Sequence, residues 1–138
     1  MTDLAWTNYV VCASNVFGLL AVRAARDPIQ MALAGASIGA SALMHISERK
    51  HGLPGVGPFA AHSTLFLWVD RLAAYAAALY VLHGVVSRGM PIPWETLSVG
   101  GLALLLSERF ERGPVWFAVT HSVWHLCAYR ILALSFAP

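Results

Sequence analysis

Apolar residues run in five blocks along the chain, and each block ends on a short cluster of charged, glycine or proline residues. The first covers about residues 4–22 and stops at "RAARDP", where Arg23, Arg26 and Asp27 mark an interface. Pro28 suits the first turn of the second block, about 28–47. The stretch "ERKHGLPGVGPF" is dense in glycine and proline and reads as a loop. A third block runs from about 60 to 86 and closes on the turn "SRGMPIP". The fourth, about 94–106, closes on "SERFERGP", and the fifth covers about 115–136. A helix needs ~20 apolar residues to cross a bilayer, which the fourth block reaches only if its ends are included. The expected fold is all-α: one transmembrane domain over residues 1–138, a helical bundle of about five spans in a multi-pass integral membrane protein.

Composition supports that expectation. The chain is 58% hydrophobic and 12% charged, where a soluble domain carries about 25% charged residues. A formal net charge of +2 with no basic stripe argues against a nucleic-acid partner. Cys12 and Cys127 both fall within expected spans, so no stabilising disulfide is expected. The start "MTDLAWTNYV" lacks a basic n-region, so no cleavable signal peptide is expected. Arg49, Lys50, Arg109 and Arg112 lie on one side of the bundle, here side A; Arg23, Arg26, Arg88 and Arg130 lie towards the other. This near-balance leaves the orientation open.

Chemistry enters with the polar residues inside the spans: His45, Asp70, Arg71, His83, His121 and His125. Ionisable groups at membrane depth are costly and mark sites by default. His45 lies a few residues before span two ends on side A, and Asp70 about ten residues into span three from that side. His121 and His125 are roughly seven and eleven residues into span five, again from side A. At 1.5 Å per residue, all fall roughly 5–17 Å below one surface, whereas His83 is near the other. His121 and His125 share a helix face at i and i+4, as do Ser41 and His45. Three neutral imidazoles with an open fourth position match a catalytic zinc site, with Ser41 and Asp70 orienting ligands or water.

The same residues carry a resemblance. "SALMH", Asp70 in "LWVDRLAAY", and "HSVWH" resemble the S-x3-H, D and H-x3-H signatures of the CREST superfamily, which includes alkaline ceramidases and progestin/adipoQ receptors. The match spans about 85 residues, from Ser41 to His125. It implies a zinc ion held by His45, His121 and His125, with Ser41 and Asp70 as catalytic residues. It also implies hydrolysis of an amide, or an ester, in a membrane lipid. Members usually have seven spans; losing one helix pair keeps the parity that brings the last span in from side A. A shortened bundle can be completed by a second copy or by a partner membrane subunit.

Other readings compete. Histidines can act as interhelical glue, and Asp70 can form an ion pair with Arg109 or Arg112. His51 and His62 are expected at or outside the interface and solvated, and His83 is expected as a helix-packing or interfacial residue. "GASIG" satisfies G-x-S-x-G around Ser37, but a nucleophile elbow needs a strand-to-helix turn. Gly35, Ala36, Gly39 and Ala40 fit small-xxx-small helix packing better; a dyad of Ser37 with His121 or His125 is a lesser reading. A haem-binding bundle would use His45 with His121 or His125 as axial ligands but gives Asp70 no task. A non-catalytic accessory subunit is the third alternative.

Overall fold

The computed structural model describes residues 4–109 and 113–137. Five helical rods follow one another, and no strand occurs among the described residues. The rod α1, Ala5–Ala24, is α-helical over Ala5–Ser14 and Leu19–Ala24 and tightens to a 3-10 turn at Asn15–Gly18. Helix α2 is Pro28–Ser47, α3 is Ser63–Arg88, α4 is Trp94–Arg109 and α5 is Pro114–Ser135. A 3-10 stretch, Gly57–His62, leads into α3, so the α-helix starts three residues later than the apolar block suggested.

Local chemistry explains the helix ends. The Asp27 carboxylate accepts from the backbone N–H groups of Ile29 and Gln30, with Pro28 at the first helical position. Gly89 ends α3 in the left-handed conformation, φ 66°. The Arg88 guanidinium donates to the carbonyls of Ser135 and Ala137, which have no helical partner at the C-terminal end of α5. At the other end, Asn8 donates to the carbonyls of His45 and Glu48 and accepts from Gly55 N–H, tying α1 to the end of α2 and the loop beyond it.

Helix α1 packs on both α2 and α5, α3 packs chiefly on α2 and touches α5, and α4 packs on α5. Helices α3 and α4 pack on these neighbours instead of on each other. Two apolar clusters hold the arrangement: Val11, Leu53, Phe117 and Ala118 near side A, and Ala21, Ala34, Leu132 and Phe136 towards the other end. Close approach is bought by glycine at two places. A Cβ on Gly18 would collide with Ile38 of α2, and one on Gly100 would stand 2.7 Å from the Cys127 Cβ of α5. Of the small residues expected to pack, Ala40 is buried. Gly35 and Gly39 face open space, so "GASIG" is not a close helix contact.

Three helices, α1, α2 and the rod containing α3, are long and apolar enough to cross a membrane. Helix α4, at 16 residues, is short for a crossing. Leu65, Trp68, Leu72, Tyr75, Leu79, Leu82 and Val86 all point outward from α3, at alternating steps of three and four residues. A large apolar side chain every turn on the outer face is the reverse of the soluble pattern and suits a hydrocarbon solvent.

Candidate metal centre

Two helices deliver three imidazoles to one point. His45 comes from the last turn of α2, and His121 and His125 from successive turns of α5. Their ring centroids form a near-equilateral triangle: 4.7 Å for His45–His121 and 4.9 Å for the other two pairs. All three are buried, and one ring nitrogen from each lies within 4.8 Å of the others. Nitrogens about 2.0–2.1 Å from a tetrahedral ion stand roughly 3.3 Å apart, so small rotations close this triad onto one cation.

The hydrogen bonds decide which nitrogen each ring offers. A serine hydroxyl has a single hydrogen. Ser14 gives its own to the Val11 carbonyl at 2.6 Å, so towards His125 Nδ1, also at 2.6 Å, its oxygen is the acceptor. Ser107 likewise gives its hydrogen to Leu104 O and accepts from His121 Nδ1 at 3.2 Å. Glu48 Oε2 accepts from His45 Nδ1 at 2.8 Å. Every Nδ1 is therefore a donor, and every Nε2 keeps its lone pair. This is the donor set a metal requires, with outer partners fixing each tautomer. The residues present fit a divalent cation.

The expected accessory groups surround the same point. Ser41 is buried, with its Oγ 3.3 Å from His125 Nε2, and Asp70 lies close enough to interact with Ser41 and His45. Phe117 is sandwiched between the rings of His51, at 4.4 Å, and His121, at 4.8 Å. His51 thus departs from the solvated role expected of it. Its ring stacks on Phe117 because the loop after α2 folds back over α5, and its Nε2 is 3.7 Å from Glu108 Oε2. His62 is exposed with an edge contact to Phe66, and His83 sits outside the triad beside Ser87. Asp70 makes no ion pair with Arg109, and Arg112 is outside the described residues. Ser37 is buried without a hydrogen-bond partner, so neither histidine of α5 forms the alternative dyad with it.

A cavity of about 600 Å³ begins at the triad and follows the gap between α3 and α4 down to Met90, Ile92 and Pro93. Its walls are largely apolar side chains from α2, α3, α4 and α5, among them Ala74, Val81, Leu97 and Leu132. The polar groups Ser41, Asp70, Arg71 and Glu108 join the histidines as part of its lining.

Glu48, Ser14 and Ser107 were missed in the linear sequence. Glu48 left one signal, its i+3 spacing from His45. The two serines left none, because their partners are 111 and 14 residues away. Neither a protein-family model, nor a curated protein, nor a solved structure matches the chain.

Proposed function

We propose that this protein is a multi-pass membrane hydrolase that holds zinc with His45, His121 and His125 and cleaves an amide or ester bond in a lipid. The observation carrying this reading is the triad itself: three buried imidazoles each bring a ring nitrogen within 4.8 Å of the others, while Glu48, Ser107 and Ser14 stand at the Nδ1 atoms of His45, His121 and His125. Zinc supplies a Lewis acid for the scissile carbonyl and lowers the pKa of a coordinated water.

The chain's own residues supply the rest. Asp70 takes a proton from the attacking water and returns it to the departing nitrogen or oxygen. The Ser41 hydroxyl donates to the oxygen that becomes negative as water adds to the carbonyl. Apolar walls extend from this point along α3, roughly 22 Å from Asp70 to Val85, a length that takes an extended acyl chain. The resemblance of "SALMH", Asp70 and "HSVWH" to the CREST signatures supports the same assignment. The haem reading gains no support from the geometry. Haem would use two imidazoles as ligands, which leaves the third ring of the triad and Asp70 without a task.

Elemental analysis of the detergent-purified chain, followed by a lipidomic screen, tests the proposal. One equivalent of zinc and a cleaved lipid species are the expected results. A Soret band would replace it with haem binding, and the absence of any metal or haem would leave an accessory subunit.

A further inference from the structure

Arg71 stands on α3 beside Asp70, on the wall of the cavity that starts at the triad. A guanidinium is permanently charged and carries five N–H donors. Among the described residues it has no ion pair and no hydrogen bond. No carboxylate among the described residues stands within ion-pair distance of it. Asp70, one residue earlier, is about 100° round the helix axis and interacts with His45 and Ser41 as well as with the Arg71 charge, without forming an ion pair with it. Glu48 is buried against His45, and Glu108, on the facing helix α4, lies against His51 and His121.

Position adds to this. The charge is close enough to act on both Asp70 and His121. Side chains on a helix lean towards its N-terminus, which for α3 is the side A end, so a long Arg71 reaches from the apolar wall towards the head-group level. On its outer side it lines a small hollow with Leu67 and the aromatic rings of Trp68 and Tyr75. A lipid whose chain occupies the gap between α3 and α4 would therefore bring its head group past Arg71 to reach the histidines.

We infer that Arg71 is the specificity residue of this cavity, and that it selects a lipid whose head group carries a phosphate. Planar, bidentate pairing with a phosphate satisfies the guanidinium and places the chain of the lipid along the apolar walls. The inference rests on the proposed hydrolase reading for its biological sense, since it names the substrate class of that site. Its test is independent of zinc and of turnover.

Binding of hexadecyl phosphate and of hexadecanol, neither of which has a bond to hydrolyse, is measured by equilibrium dialysis on the full chain in a neutral detergent. The wild-type protein is expected to prefer the phosphate by about tenfold or more. Arg71→Gln should bring the two ligands to near parity while leaving hexadecanol affinity unchanged, and Arg71→Lys should retain part of the preference. The exposed, unpaired side chain makes the fold insensitive to these changes. The preference should persist in His121→Ala, where metal binding is lost. No phosphate preference in the wild type, or an undiminished one in Arg71→Gln, would overturn the inference. So would loss of the preference in His121→Ala alone, which would put the anion on the metal. Inorganic phosphate competing as well as the alkyl phosphate would make this a free-phosphate site and overturn the lipid assignment. Failure to find zinc or hydrolysis would leave the dialysis result standing.

Discussion

Glu48 accepts a hydrogen bond from His45 Nδ1 at 2.8 Å, one turn beyond it and just past the end of α2. The carboxylate is buried, and its backbone carbonyl is held by Asn8 of α1. This pair holds one imidazole through its Nδ1 and leaves its Nε2 as the nitrogen with a free lone pair. Glu48→Gln, which keeps the size and loses the charge, should lower zinc affinity by about 10–100-fold without changing helix content. Competition against a chromophoric chelator reads this directly. Unchanged affinity would mean that the pair is structural only.

His121→Ala should abolish stoichiometric zinc while the protein remains inserted and helical. The remaining two rings, His45 and His125, have centroids 4.9 Å apart, but two nitrogen ligands are one short of the set that holds catalytic zinc. Retention of a full equivalent in the purified variant would dismantle the proposed centre.

Asp70→Asn separates binding from chemistry. Asp70 is near Ser41 and His45, outside the triad itself. Zinc content should stay at the wild-type level, while hydrolysis falls by about 10²–10⁴-fold, the usual contribution of a positioned base. Undiminished turnover would reassign the base, with Glu108, 3.9 Å from His121 Nδ1, the next candidate.

Two adjacent glycines should respond in opposite ways to the same substitution. A Cβ at Gly100 would meet Cys127 Cβ at 2.7 Å, forcing α4 away from α5, whereas one at Gly101 meets nothing within 4 Å. Gly100→Ala should destabilise by about 1–3 kcal/mol. Gly101→Ala should be neutral or slightly stabilising, because alanine is the better helix former. Thermal unfolding in one detergent compares the two, and equal melting temperatures would contradict the packing of α4 on α5.

The helices were legible because each is written locally. Apolar runs bounded by "RAARDP", "ERKHGLPGVGPF" and "SRGMPIP" need only neighbouring residues to be recognised, and the Asp27–Pro28 start works through bonds two and three residues away. The i, i+4 pairs Ser41/His45 and His121/His125 were equally local, and helix depth then brought both pairs and Asp70 to one level. What hydropathy could not say is which way a small residue faces. Gly35 and Gly39 looked like packing positions and face open space, while Gly18 and Gly100 carry the contacts. His51, in a loop of high polarity, gave no sign that it would stack on Phe117, 66 positions further along.

By itself the sequence determined an all-helical chain with membrane-length apolar segments and three histidines at one depth, because helical period and rise are properties of the local backbone. Only the tertiary structure decided that those rings meet in a 4.7–4.9 Å triangle, that Ser14, Glu48 and Ser107 hold their Nδ1 atoms, and that a cavity opens between α3 and α4. The physical reason is that convergence depends on the rotation of each helix about its axis and on which neighbours it packs against. Side chains far apart along the chain set both.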